Sequence, residues 1–555
     1  MSDDKDERKS AATVLVEMAQ SRYLFGISTD GEPFAVPLMG DPVARLLRGG
    51  KRGLRSELAR AYFEERAKAV SQQALADALL VIEGLAGGAE PELLAQRVAQ
   101  TSTSWWIDLG DTTGDAIRVN GTGWTITGPA VKFRRTVLTA ALPRPVAGGD
   151  LGELWGLLNV AEADRPLVLA WLVAAMVAGI PHPILSLAGE QGTGKSTAAK
   201  IITSLIDPSP VPLRKTPRDS DSWVTAAAGS WIVAIDNVST VPDWLSDTLC
   251  RAVTGDGDVR RQLYTDGGLA LFAFRRAVIL NGIDLGAVRG DLADRLLVID
   301  LDVIAERNRR LDAEVESRWQ DAHPRILGAL LDLAASVASA LPSVRLENSP
   351  RMADFARILA AVDQVLGIEG LTRYRDRARN LAADSLTADP FVVAAQQQLG
   401  EEFAGTSADL LDRVAAPDDK RLPKGWPANA RQLTTLLKRQ APVMRRAGWT
   451  VTELPSGHEN ALRWTIRRPE IARNGDSQHS QRSQDHVEQT PGASVASVAS
   501  VEYPPSQDDE NTEPSRPGNP ICQMCGRPNL FAAATIARGI CAACIKVLDA
   551  KELPA

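Results

Sequence analysis

Residues Gly189, Glu190, Gln191, Gly192, Thr193, Gly194, Lys195, Ser196 and Thr197 carry the spacing G-x-x-x-x-G-K-[ST]. Three glycines let backbone N–H groups curl around phosphate oxygens. Lys195 can reach the β- and γ-phosphates of ATP, and the Ser196 hydroxyl is a hard oxygen donor for Mg2+. Further on, the apolar run Ile232–Ile235 ends in Asp236, a carboxylate able to hold the same Mg2+ through water. Asn237 stands where many ATP-driven machines place a glutamate that handles the attacking water. An asparagine orients water but cannot accept its proton, so hydrolysis is expected to be slow rather than absent, with Asp256 or Asp258 as other carboxylate sources. The apolar run Ala277–Leu280 delivers Asn281, a polar group placed to sense the γ-phosphate. Arg295 precedes another apolar run and has two readings: reaching a neighbouring subunit's γ-phosphate, or pairing with Asp291 or Asp294 in its own chain.

A second chemistry-bearing cluster lies near the C-terminus. Cys522 and Cys525, then Cys541 and Cys544, form two C-x2-C pairs, and four thiolates close a tetrahedral site for a structural Zn2+. Cys250 stands apart and reads as a buried helix residue.

These residues need elements to hold them. The loop requires a strand before it (Ile184–Leu187) and a helix after it. The sequence is 44% hydrophobic over 555 residues, enough for several cores, and divides by pattern into successive regions. Residues 1–13 read as disordered, 14–150 as an N-terminal α/β domain, 151–181 as an all-helical lead-in, and 182–303 as the nucleotide core. Residues 304–388 read as a helical bundle and 389–469 as a basic C-terminal unit. A disordered linker over 470–520 and a zinc module over 521–548 follow. Within the N-terminal domain, Glu57–Ala86 has helical spacing, while "AVKFRRTV" and the segments around Asn120-Gly121 read as strands. Asp108 and Asp111 have the wrong spacing for a paired-carboxylate polymerase site and read as turn and strand-edge groups.

The formal net charge of -7 means that any nucleic-acid site must be a local basic patch. The start "MSDDKDERKS" lacks the apolar segment of a secretory signal, so a cytoplasmic protein is expected. Pro166–Ile180 is too short to span a bilayer comfortably and reads as a buried helix, so no membrane partner is expected.

The stretches "GEQGTGKST", "VAIDNVS", "LSDTLCRAVTGDGDVRRQLYTD", "AVILNGID" and "DLADRLLVIDL" resemble superfamily 3 helicases, most closely the ATPase half of phage and plasmid primase-helicases and related ATP-binding proteins of mobile elements. The resemblance covers about Leu151–Pro350. It implies an AAA+-like P-loop core, a ring (a hexamer) moving along DNA with ATP, Asn281 as sensor and Arg295 acting in trans. It also implies that the hairpin after Thr254 sends a loop into the channel, with Arg260, Arg261 and Tyr264 to grip DNA. The hairpin tip, Thr265–Gly268, has no lysine or histidine, and a purely structural hairpin is the other reading.

In the C-terminal unit, a helix over about Asn429–Ala447 and strands over Trp449–Leu454 and Ala461–Arg467 read as a winged helix. Arg431, Lys438, Arg439, Arg445 and Arg446 make it basic and suit it to DNA, with protein contact as the alternative. Similar winged modules follow the ATPase in many phage primase-helicases. The overall expectation is an α/β protein: an AAA+-like P-loop ATPase core, an N-terminal α/β region, a winged helix and a zinc ribbon. Its function would be that of an ATP-dependent DNA motor, a replicative helicase of a mobile element. A remodelling ATPase, or an ATP-gated DNA-binding initiator with little turnover, is the rival. A primase activity would have to come from a partner protein.

Overall fold

A sheet of five parallel strands organises the centre of the computed structural model, which describes residues 9–47, 53–255, 257–261, 269–273, 275–282, 290–387, 389–417, 422–423, 425–454 and 462–469. All of these fall within one compact unit, Met1–Ala472. The four cysteines of the expected zinc module and the expected linker lie outside the described residues.

Leading into the sheet is helix α1 (Arg165–Ala175), with Pro166 in its first turn. Every residue from Leu167 to Ala175 is buried, so the helix is apolar all round because protein covers it on all sides. The indole N–H of Trp171 donates to the Pro183 carbonyl at 2.8 Å, and that of Trp231 to the Ala175 carbonyl at 2.7 Å. Among the described residues no helix is long and apolar enough to cross a membrane.

Strand β1 (Ile184–Ala188) runs into the glycine-rich loop, and helix α2 (Lys195–Ile206) starts where the loop ends. Then come β2 (Leu213–Lys215), α3 (Ser220–Ala228), β3 (Ile232–Asp236) and α4 (Asp243–Thr254). Cys250 is buried on α4, as expected. An antiparallel hairpin, Gly257–Arg261 with Leu269–Ala273, precedes β4 (Ala277–Asn281). A short helix α5 (Gly290–Ala293) leads to β5 (Leu296–Asp300). The spatial order is β2-β3-β4-β1-β5, all parallel. Most residues of β1, β3 and β4 are buried, as a sheet covered by helices on both faces requires. The chain order leaves β1 between β4 and β5, so the carboxyl ends of β1, β3 and β4 open on one edge, where open parallel sheets bind ligands.

Helices α6 (Asp312–Ala340), α7 (Ala353–Leu366) and α8 (Gly370–Thr387) follow the sheet. The C-terminal unit comprises α9 (Pro390–Gln398), β6 (Glu402–Thr406), α10 (Ser407–Arg413), α11 (Ala430–Arg446), β7 (Thr450–Leu454) and β8 (Arg463–Arg467). Its antiparallel sheet has the order β6-β8-β7. Asn429 caps α11 by accepting from the Gln432 N–H at 3.0 Å. Strand β6, which completes the sheet, was not among the expected elements.

Three local expectations change. The helical run over Glu57–Ala86 is two helices, Leu54–Arg66 and Gln72–Gly87. Ala67 turns left-handed (φ 49°) to close the first, and the Ser71 side chain caps the second. "AVKFRRTV" contributes only the strand Lys132–Phe133. The lead-in is not all helical: between a helix at Gly152–Trp155 and a 3-10 turn at Glu162–Asp164, Val160 is taken up in an antiparallel bridge to Leu301. Asp108 is buried and accepts from the Arg135 guanidinium at 2.6 and 2.8 Å, a structural pair.

Candidate functional site

The glycine-rich loop is shaped by its backbone. Gly189 has φ +138°, and a Cβ there would lie 2.7 Å from the Leu301 carbonyl oxygen, so only glycine lets the loop leave β1 beside that segment. Gly194, at φ +83°, caps α2 in the left-handed region. The first N–H groups of α2 have no partner within the helix, so its start, at Lys195, Ser196 and Thr197, is suited to oxyanions. Thr193 is buried and its hydroxyl donates to the Glu190 carbonyl at 3.0 Å, folding the loop on itself. Glu190 and Gln191 are exposed on the loop. The Lys195 ammonium donates to the carbonyls of Gly189 (2.8 Å) and Glu190 (2.6 Å), and must turn from them to meet a phosphate.

The carboxyl ends of β3 and β4 close the site. The Ser196 hydroxyl donates to the Asp236 carboxylate at 2.9 Å. Asn281 is buried; its side-chain oxygen accepts from the Asn237 N–H at 2.7 Å, and its amide nitrogen lies 3.3 Å from the Ser196 hydroxyl. Lys195, Ser196, Asp236, Asn237 and Asn281, spread over 87 residues of sequence, therefore meet at one edge because β4 lies between β1 and β3. A hydroxyl beside a carboxylate is the hard oxygen set that suits Mg2+. Among the described residues no group of three or more His, Cys, Asp or Glu side chains could hold a metal ion.

Asn237 has a second property. It is a non-glycine residue in the left-handed region, φ 57°. That conformation disfavours most side chains and is tolerated best by Gly, Asn and Asp. The turn lets the Val238 N–H donate to the Asn281 carbonyl at 2.8 Å, so β3 and β4 stay joined past their ends. The backbone thus selects asparagine here independently of any role toward water.

Arg295 is nearly buried. Its guanidinium meets the Asp291 carboxylate at 2.8 Å and donates to the Asp291 carbonyl at 2.8 Å. Arg351 shares the same carboxylate at 2.8 Å. In this chain Arg295 is therefore engaged in cis, away from the loop cluster.

The expected DNA contacts separate into groups. Arg260 and Arg261 fall on the first hairpin strand, while Tyr264 and the tip lie outside the described residues. Arg431, Lys438 and Arg439 are exposed on α11 at a spacing that puts them on one face. Lys438 has Glu453 3.7 Å away. Arg445 instead donates to the Val451 carbonyl at 2.9 Å, and Arg446 pairs with Asp294 beside β5. These last two serve contacts within the chain, and Arg446 joins the C-terminal unit to the sheet unit.

The opposite edge of the sheet holds a buried polar network that no motif announced. Asp207, at the end of α2, accepts from the backbone N–H groups of Trp231 and Ile232 at 2.8 and 2.9 Å and from Arg97 at 2.9 Å. Arg97 belongs to the N-terminal domain and also donates to the carbonyls of Asp108 and Ala140. Burial there pushes the Arg276 guanidinium down to about 9.

Residues 151–384 match the family model described as actinomycete integrative conjugative element replication protein, and residues 391–481 match the one described as AICE RepA C-terminal domain. No curated protein matches the chain. Solved structures similar to it include the A form apo structure of the NrS-1 C terminal region (12% identity, TM-score 0.37, covering 83% of this chain and 100% of that one). Another is the apo structure of the NrS-1 C terminal region (305-718), at 11% identity and TM-score 0.35, with the same coverage.

Proposed function

We propose, from the premise that this is a replication protein of a mobile element of the kind matched by residues 151–384 and 391–481, that it is an ATP-hydrolysing DNA motor working as a ring, a replicative helicase with an AAA+-like P-loop core of the superfamily 3 kind. The observation that carries this reading is the meeting of Lys195, Ser196, Asp236 and Asn281 at the carboxyl edge of a parallel sheet. The loop N–H groups and the start of α2 bind the phosphates, and Lys195 exchanges its loop carbonyls for phosphate oxygens. Ser196 and Asp236 would hold Mg2+, which when bound neutralises phosphate charge. Asn281, whose side-chain oxygen accepts from the Asn237 N–H and whose amide donor meets Ser196, would sense the terminal phosphate. Asn237 orients water without taking its proton, so turnover is slow.

DNA would be held by the hairpin and by the exposed face of α11, read as the recognition helix of a winged helix. The donor set of Cys522, Cys525, Cys541 and Cys544, four thiolates in two C-x2-C pairs, suits one structural Zn2+. Primase or other replication proteins are the expected partners in the cytoplasm.

The cis engagement of Arg295 by Asp291 favours a second reading, an ATP-gated DNA-binding initiator in which ring assembly rather than turnover matters. ATPase and strand-separation assays on wild type and Lys195→Ala decide between them. The motor reading expects DNA-stimulated hydrolysis and unwinding, both lost in Lys195→Ala. Hydrolysis that never separates strands removes the helicase and leaves the ATPase; tight ATP binding with negligible turnover supports the initiator.

A further inference from the structure

The segment after β5 runs along the glycine-rich loop. The Leu301 N–H donates to the Ala188 carbonyl at 2.9 Å, and the Leu301 carbonyl stands against Gly189. Ile304 comes next: its terminal methyl would lie 3.4 Å from a Cβ on Gly194. A 3-10 turn at Glu306–Asn308 then reverses the chain, and the Arg309 N–H donates to the Glu306 carbonyl at 3.1 Å. The reversal brings the Arg309 guanidinium back onto the loop, where one of its terminal nitrogens would lie 3.3 Å from a Cβ on Gly192. Among the described residues nothing pairs with that guanidinium, whereas the next residue, Arg310, donates to the Gly156 carbonyl at 3.0 Å.

We propose that Arg309 is a phosphate-contacting residue of the nucleotide site, supplied by the same chain, that binds the terminal phosphate of a nucleoside triphosphate across the loop from Lys195. Two cations against one loop, the second with no carboxylate paired to it among the described residues, is an arrangement that a polyanion completes. A planar guanidinium suits bidentate binding of a phosphate. The cis position also separates it from Arg295, whose guanidinium is already engaged by Asp291. Arg309 follows the last strand of the sheet and precedes α6, so its grip on phosphate would also tie the helical region to the state of the nucleotide.

This rests on the nucleotide-binding reading, and the experiment separates the two. The affinities of full-length wild type, Arg309→Ala and Arg307→Ala for ATP and ADP are measured with Mg2+, alongside thermal unfolding. Arg307 carries the same charge two residues away and serves as the control. Arg309→Ala is expected to weaken ATP binding about tenfold and ADP binding less than about twofold, with unfolding unchanged and Arg307→Ala like wild type. Wild type binding ATP while Arg309→Ala binds it equally well would overturn the proposal and leave the nucleotide reading intact. Equal losses for ATP and ADP, or the same loss in Arg307→Ala, would overturn the terminal-phosphate contact. A wild type that binds neither nucleotide would bring down both.

Discussion

The two edges of the central sheet use polar groups in opposite ways. At the amino edge, the Asp207 carboxylate is buried and takes three donors from its own chain, from Trp231, Ile232 and Arg97. At the carboxyl edge, Lys195 rests on two loop carbonyls, Ser196 is exposed, and Arg309 faces the loop with no partner among the described residues. Groups with buried partners hold the fold together; on the proposed nucleotide reading, Lys195 leaves its loop carbonyls for a ligand. On that proposed reading, fold and chemistry lie about one strand length apart, and substitutions at the two edges should fail in different ways.

The largest effect is expected at the amino edge. Asp207→Ala strands a buried Arg97 guanidinium and two backbone donors, and should lower unfolding stability by about 4 kcal/mol in denaturant titrations. A loss below about 1 kcal/mol would mean that Arg97 finds water or another partner, and the edge would not be the anchor described.

Acid should also act on stability rather than on the site. Burial pushes His182 and His323 down to about 4, from an ordinary value of 6.5. His182 is held between the carbonyls of Ala174 and Val177 at 3.0 Å, and His323 stacks on Trp319 with ring centroids 4.1 Å apart. Both are neutral in the fold, so the unfolded chain takes up protons first as pH falls below 6.5. Their contribution is complete above that value and is lost on the way down to 4. Each should cost about 1 kcal/mol between about pH 7 and 5.5, read from unfolding curves. Stability flat across that window in wild type would show that the rings are not sealed from solvent.

The smallest effect tests Asn237. Aspartate tolerates the left-handed backbone at this position, so Asn237→Asp should fold normally and hydrolyse ATP at the wild-type rate or up to about tenfold faster. A slower variant would show that the amide does more than orient water. Asn237→Leu, which strains the backbone, should disturb Asn281 and lower both stability and turnover.

Legibility in the sequence followed the locality of the interactions. The glycine-rich loop and the run ending in Asp236 are contiguous motifs next to apolar strands, and they could be read directly. Asn281 could be read as a strand-end polar residue, but its bond to the Asn237 N–H depends on β4 lying between β1 and β3, which is a matter of strand order. For Arg295 the two readings stood level, and the cis pair with Asp291 is what this chain displays. Arg309 sits in the ordinary polar run "ERNRRLD" and becomes notable only when the 3-10 turn folds it back onto Gly192. Arg97 and Asp207 are 110 residues apart, and neither carries a local signal. Strand β6 was missed because its pairing with β8 spans the whole C-terminal unit. The helical spacing over Glu57–Ala86 gave no sign of the break at Ala67, where a left-handed residue closes the first of two helices.

The most direct test of the contrast between the edges is amide hydrogen exchange on the full chain with and without Mg2+ and ATP. Protection should rise in residues 189–197, at 236–238 and at 281–282, while the backbone around Arg97, Asp207 and Trp231, already buried and hydrogen-bonded, should not change. No added protection at the glycine-rich loop, or an equal response at both edges, would contradict the assignment of the carboxyl edge as the nucleotide site.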